Sequence, residues 1–364
     1  PPIGILPKVV QLLMELVKLY LRRNMKKHFK PHINNIVRYQ TSIGRDLEKG
    51  LRLDRNEKVS NFPSEVSADI FNRIKSYSLS ASPEPNTLYQ KIAMSLGIQK
   101  EKIYITSGIT EGIRILFETL TNPGDNVVVL DPTYPMYSIY AKIYQNEYRR
   151  FGFKKDLSPD WNSLYQGIDE RTTMVMIPNP NLPIENMFSI EKVRHIADKC
   201  KENQAVLVID EAYHYFGAPT VIELIDDYDN LVVMRSFSKA YGLAGIRLGF
   251  MISSVENIQY LSKTRSLVES NTLSMEVTAY MLDHPELLQE HVREVKEGAQ
   301  YIQKELTKLG LRWFGGNVTN GILIFLNNEN ETKDLVEWLK KKNIYIRGSF
   351  EPPYNICVRV SIGP

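Results

Sequence analysis

The residues of this chain best suited to chemistry fall in a few short stretches. In "SFSKAYGLAGIRLGF", Ser236 to Phe250, one amine, Lys239, stands among hydroxyls, glycines and apolar residues, with Arg247 eight residues later. A lysine in dry surroundings with no carboxylate beside it can act as an amine nucleophile and form a Schiff base with a carbonyl. The same lysine on a solvated turn would do nothing. In "AVLVIDEAY", Asp210 closes an apolar run, where an unpaired carboxylate is costly. It calls for a cationic nitrogen, or it caps the following turn. Tyr213, three residues on, places a phenol nearby. In "TSGITEG", Gly108, Ile109 and Thr110 open a helix whose first N–H groups would face an anion, unless the turn is a plain strand-to-helix connection. Gly108 permits close backbone approach. Ser236, Ser238 and Arg247 would add hydroxyls and a planar fork suited to phosphate.

These residues need a frame that brings them together. From about residue 100 to 253, seven short β-branched runs recur: "KIYITSG", "NVVVLDPTY", "YRRFGF", "TTMVMIPNP", "AVLVIDEAY", "LVVMRSFS" and "IRLGFMIS". Helical segments such as "EGIRILFETL" and "SIEKVRHIADKC" lie between several of them. Near-continuous apolar strands alternating with helices predict an α/β fold with a mostly parallel sheet covered on both faces. Ligands of such sheets sit beyond the carboxyl ends of the strands. Gly108–Thr110, Tyr134, Asn179–Asn181, Asp210–Tyr213 and Ser236–Lys239 all fall there. After residue 285 a long charged helix leads to short strands "GILIFL", "IYIRG" and "ICVRVSIG", the texture of a smaller α+β unit. The expected division is an amphipathic extension over 1–30, a large domain over 76–284, and a small domain combining 31–75 with 285–364.

Composition narrows the function classes. At 364 residues there is ample chain for a buried core, and a net charge of +3 without a dense basic patch argues against nucleic acid. Cys200 and Cys357 are the two cysteines and form no metal-type pair, and the six histidines are scattered. No metal is expected, and a reducing, cytoplasmic location fits. "VVQLLMELVKLYLRR", Val9 to Arg23, is apolar but interrupted by Glu15 and Lys18, too charged to span a bilayer. It reads as an amphipathic helix that packs on its own protein or a partner, with interfacial membrane binding as the alternative.

An amine for a carbonyl, a phosphate cradle, a carboxylate for a protonated ring nitrogen and a phenol for a ring hydroxyl are what a pyridoxal 5′-phosphate site requires. Here the chain resembles a known family, the fold-type I class I/II aminotransferases, and within them the histidinol-phosphate aminotransferase branch. The resemblance covers about residues 50 to 364. It rests on "DRNE", "TSGITEGI", "DPTYPMYSIYAK", "NPNLP", "VIDEAYHYF", "SFSKAYGLAGIRLGF" and "VRVSIG", in that order. It implies a seven-stranded large domain and a homodimer with the site at the subunit interface. It implies that Lys239 holds the cofactor and moves the proton at the substrate Cα, that Asp210 pairs with the ring nitrogen, and that Tyr213 bonds the ring oxygen. Tyr134 would stack on the ring, or serve packing only. Gly108, Ile109, Thr110, Ser236, Ser238 and Arg247 would grip the phosphate. Arg359 would take a substrate carboxylate, or be a surface strand arginine, and Arg347 resembles the family's second substrate-binding arginine.

Three departures stand out. "NPNLPIE" replaces the usual N-P-N-N-P-T-G, so Leu182 stands where an asparagine commonly contacts the ring oxygen, with Asn181 as the possible substitute. Ser82 stands where a tyrosine would reach the phosphate across a dimer interface. The chain ends at Pro364, where relatives continue with a further helix, so a shortened C-terminus is expected. The expected activity is transamination between an amino acid, phosphorylated or not, and a carbonyl acceptor. Decarboxylation of a phosphorylated amino acid is the alternative, and a non-catalytic binding protein on the same fold the third. Retention of Lys239 and Asp210 argues against the last.

Overall fold

The computed structural model describes residues 6–25, 28–39, 44–75, 80–348 and 350–364. After a short strand β1 (Leu51–Leu53), the seven β-branched runs form β2 (Ile103–Thr106), β3 (Asn126–Leu130), β4 (Glu147–Phe151), β5 (Thr172–Pro178), β6 (Val206–Asp210), β7 (Leu231–Ser236) and β8 (Gly249–Ile252). They make one sheet in the order β2-β8-β7-β6-β5-β3-β4. All neighbours are parallel except β8, which runs antiparallel to both β2 and β7.

Burial on both faces explains why these strands read as continuous apolar runs rather than alternating ones. Along β3, Val128 and Leu130 enter one core with Ile177, Ile209 and Val233, under helices Asn86–Leu96, Ile190–Glu202 and Thr272–Asp283. Val127 and Val129 point the other way and meet Met174, Val208, Ile113 and Tyr137 beneath helices Ile109–Leu120 and Met136–Ile143. The period of two along a strand sorts the side chains between the layers. β4 is the exception, with Glu147 and Arg150 exposed, as suits a charged sheet edge.

The later chain forms β9 (Trp313–Gly315), β10 (Gly321–Phe325), β11 (Ile344–Ile346) and β12 (Cys357–Ser361). β12, β10 and β9 make an antiparallel sheet, and β1 pairs in parallel with β11. Helix Pro285–Lys308 joins the two units: its Val295, Ala299 and Leu306 pack with Ile322 and Ile362 on one side and with Phe216 and Ala240 on the other. The turn after β7 is thereby pressed against the small sheet. Helix Ser64–Lys75 lies against Thr272–Asp283, with Val66 in the larger core.

The expected N-terminal helix forms over Leu6–Met25. Its apolar side chains from Val9 to Leu21 are exposed rather than packed on the rest of the chain. Among the described residues no helix is long and apolar enough to cross a membrane.

Candidate active site

The carboxyl ends of β2, β6 and β7 lie along one edge of the sheet, and hydrogen bonds tie the segment after β1 to Lys239, Tyr213 and, on β12, Arg359, framing a cleft between them. Asp210 ends β6 and is buried. Tyr137 Oη donates to its Oδ2 at 2.6 Å and the Ala212 N–H to its Oδ1 at 2.9 Å. One oxygen thus serves the turn, as capping predicts, and the other takes a buried phenol. Burial pushes the Asp210 pKa up to about 6, against the lowering pull of Tyr137, the Ala212 N–H and the Lys239 charge. Tyr137 is itself held well above the usual phenol range by burial and by the Asp210 charge.

Lys239 lies on the turn after β7, closed by Gly242 N–H to the Lys239 carbonyl at 2.9 Å. Its Nζ donates to the Arg55 carbonyl at 3.1 Å and sits 5.6 Å from the centre of the Tyr213 ring. The next carbonyl, of Ala240, is held by His291 Nδ1 at 2.6 Å.

Gly108 caps helix Ile109–Leu120 at φ +78°, where a Cβ would lie 2.8 Å from Arg247 Nη2. That left-handed φ favours glycine, and the bare Cα lets the guanidinium lie close over the helix N-terminus. Arg247 Nη1 approaches Ser238 Oγ at 3.5 Å, and Ser236 Oγ accepts from the Ser238 N–H at 3.0 Å. The helix N-terminus, two hydroxyls and a guanidinium are a donor set of the right chemistry for a phosphate. Tyr134 Oη bonds Thr110 Oγ1 at 2.9 Å and sets its ring edge-on to Tyr137, centroids 6.2 Å apart. At 42% exposed, Tyr134 keeps ring surface open to the cleft.

Across the cleft, Arg347 and Arg359 exchange backbone hydrogen bonds, Arg347 N–H to Arg359 O at 3.0 Å and the reverse at 2.6 Å, as an antiparallel bridge. Residues so opposed share one face, so two like charges are neighbours. Arg359 Nη2 donates to the Asp54 carbonyl at 2.7 Å, while its buried Nε has no partner. Burial and the Arg347 charge lower the Arg359 pKa from the ordinary guanidinium value, though Tyr213 pulls it upward. The Arg347 guanidinium lies 6.0 Å from the centre of the Tyr39 ring.

Asn181 is buried in the loop after β5, and its Nδ2 donates to the carbonyls of Pro132 at 3.1 Å and Ile184 at 3.0 Å. Both amide hydrogens are spent on the backbone. Leu182 is buried instead of facing solvent, and a Cβ on Gly321 would meet its Cδ1 at 3.0 Å. Glu185 accepts from the N–H groups of Gly316, Asn317 and Val318, from Asn317 Nδ2 and from Thr319 Oγ1, stapling this loop to the turn between β9 and β10. Ser82 is exposed.

Sequence reading missed Tyr137, Asn56 and the carbonyls of Asp54 and Arg55. Tyr137 had a signal: it stands three residues after Tyr134, one helical turn into "DPTYPMY". Asn56, whose Nδ2 donates to Tyr213 Oη at 2.8 Å, had only its place in "DRNE".

A family model described as aminotransferase class I and II matches residues 62–364. The histidinol-phosphate aminotransferase of Christiangramia forsetii is 28% identical over 346 residues, covering 93% of this chain and 94% of the relative. That of Thermoanaerobacter pseudethanolicus is 30% identical over 277 residues, covering 75% and 78%. Among solved structures, histidinol-phosphate aminotransferase from Sinorhizobium meliloti in complex with pyridoxal-5′-phosphate superposes with a TM-score of 0.83 at 24% identity, over 92% of this chain and 93% of that one.

Proposed function

The chain belongs to the class I and II aminotransferases and is a pyridoxal-phosphate-dependent enzyme of that family, and we propose that its substrates are dianions, with a phosphate monoester of the histidinol-phosphate kind as amino donor. The observation that carries the substrate reading is the Arg347–Arg359 pair. Two guanidiniums on one face, one with an unpartnered buried Nε, repel one another until an anion joins them. A monoanion needs one such fork; a phosphate monoester or a dicarboxylic acid uses two.

Pyridoxal phosphate, when bound, supplies an aldehyde that condenses with amines and a protonated ring that draws electron density from the substrate Cα. The rest is done by the chain. The helix Ile109–Leu120 N-terminus, Ser236, Ser238 and Arg247 would hold the phosphate, and Asp210, kept in place by Tyr137, would offer its carboxylate to the ring nitrogen. Tyr134 would cover one ring face, and Tyr213 would offer its hydroxyl to the ring oxygen. Arg359, with Arg347 beside it, orients the anionic end of the substrate so that the Cα–H bond faces Lys239. Lys239 releases the Arg55 carbonyl and carries the proton away from Cα. The working unit in this reading is a homodimer in the cytoplasm, in keeping with two free, buried cysteines.

The test is a half-reaction. Purified protein loaded with pyridoxal phosphate is mixed with histidinol phosphate, phosphoserine, glutamate or alanine, with no carbonyl acceptor present. A transaminase releases one equivalent of carbonyl product per site and stops. The expected order has phosphate monoester and glutamate well ahead of alanine, from a sample whose solution mass is that of a dimer. Continuous release of CO₂ would make the chain a decarboxylase, and equal rates with alanine would remove the dianion reading.

A further inference from the structure

Asn56 uses every polar atom it has. Its Nδ2 donates to Tyr213 Oη at 2.8 Å and its N–H to Ser361 Oγ at 2.8 Å, while its carbonyl accepts from Asn320 Nδ2 at 3.1 Å. Ser361 Oγ, already accepting from the Asn56 N–H, turns its own proton to Asn56 Oδ1 at 3.2 Å. This orientation, oxygen to Ser361 and nitrogen to Tyr213, gives the buried Ser361 proton its acceptor, which the flipped amide would take away. Asn56 is 1% exposed and sits at φ +54°, a left-handed conformation that asparagine tolerates better than most residues. Held on four sides, the amide has no freedom to turn.

The consequence falls on Tyr213. A hydroxyl that accepts from Asn56 cannot also give its proton to Asn56, so the proton is left for the cleft side. This matters because, among the described residues, the loop after β5 offers no free side-chain donor there. Leu182 carries no polar atom, and both amide hydrogens of Asn181 are committed to the carbonyls of Pro132 and Ile184. With the loop after β5 spent, Tyr213 is the side chain placed to give a ring oxygen its hydrogen bond.

We propose that Asn56 is a positioning residue that aims the Tyr213 hydroxyl proton into the cleft, at the ring oxygen of the cofactor. The proposal rests on the reading that pyridoxal phosphate occupies this site, and the experiment keeps the two separable. Holoenzyme is titrated between pH 5 and 10, and the midpoint of the pH change in the cofactor's visible absorption band is recorded. Tyr213→Phe removes a donor from an anionic oxygen, so the midpoint rises by about one pH unit, a tenfold change in proton affinity. Asn56→Asp offers only acceptors, draws the Tyr213 proton to itself and gives a rise of similar size. In the double variant the two rises do not add, because both remove the same hydrogen bond. Additive shifts would mean that the new carboxylate acts by charge alone, and no shift in Asn56→Asp would mean that the amide does not orient the phenol. Either result overturns the proposal. Should Asn56→Asp fail to fold, Asn56→Ser, which can donate or accept, gives a smaller rise that vanishes in the Tyr213→Phe background; a rise that persists there overturns it equally. If the parent protein forms no visible band with pyridoxal phosphate, it is the functional reading that has failed, not the role of Asn56.

Discussion

At the Asp210 end of the cleft each charge meets a partner inside the chain, whereas at the Arg359 end two like charges face one another across a strand pair. Asp210 is buried but accepts from Tyr137 and from the Ala212 N–H, and the next buried acid, Glu211, is closed by Arg235 and Thr220. Arg359 has one backbone carbonyl and an unpartnered Nε, with Arg347 beside it. The first arrangement is complete without ligand and needs only a cation above it. The second stays unfavourable until a ligand relieves it. A cofactor retained through every turnover suits the first, and a substrate that must arrive and leave suits the second.

Lys239 stands between the two ends and is the place where the largest effect is expected. Lys239→Ala should lower turnover by more than about 10³-fold, the scale of a lost proton-transfer group. Its Nζ has one hydrogen bond, to a backbone carbonyl, and otherwise only longer-range contacts with Tyr213 and Asp210, so the melting temperature of the apoprotein should hardly move. Partial recovery of turnover with millimolar methylamine would place the loss at the amine itself. Loss of turnover together with a large fall in melting temperature would instead assign Lys239 a structural part and blur the distinction between the two ends.

The next effect sharpens the contrast at the arginine end. Arg347→Met should raise KM for a phosphate monoester or for glutamate by about ten- to a hundredfold, since charge-assisted hydrogen bonds contribute about 1.5–3 kcal/mol each. It should leave kcat nearly unchanged and leave alanine almost unaffected. The same substitution removes one of two like charges in register, so the apoprotein should gain about 0.2–1 kcal/mol. Arg359→Met should show no such gain, because it also removes the hydrogen bond that Arg359 Nη2 gives the Asp54 carbonyl. Equal stability changes in the two variants, measured by urea unfolding of the apoprotein, would contradict the picture of a strained pair.

The same contrast marks how far the sequence could be read. Lys239, Asp210, Tyr213 and Gly108 stood out as candidates because each sits just past an apolar run, and strand ends in an open α/β sheet converge by construction, while Arg247 stood out by its spacing from Lys239. All seven runs became strands of one sheet. What escaped depends on contacts between residues far apart in the chain. Tyr137 reaches Asp210 across 73 residues, Asn56 reaches Tyr213 across 157, and Lys239 reaches the Arg55 carbonyl across 184. No local period encodes such pairings, and two of them end on backbone carbonyls or a single amide, which carry no motif. Glu185 was visible only as a departure from a pattern. Its reason, a turn of N–H groups more than 130 residues away, lies wholly in the tertiary structure.

The smallest effect tests whether the Asp210 end is as self-sufficient as it looks. Burial raises the Asp210 pKa to about 6, so its ionised form is disfavoured by folding. The sign follows directly: the folded apoprotein loses stability from this group as pH rises from the unfolded value, about 4, to about 6, and the loss is constant above that. A ring cation favours the ionised carboxylate, so cofactor affinity should tighten as pH rises through about 6 and level off beyond it. Tyr137→Phe removes a bond that lowers this pKa, and the step should move upward by up to about one unit with its height little changed. Asp210→Asn should abolish the step. Titrating apoprotein with pyridoxal phosphate between pH 5 and 8 reads all three. A step left in place in Tyr137→Phe would mean that the Ala212 N–H and the Lys239 charge set the carboxylate, and that the buried phenol fills space rather than tuning charge.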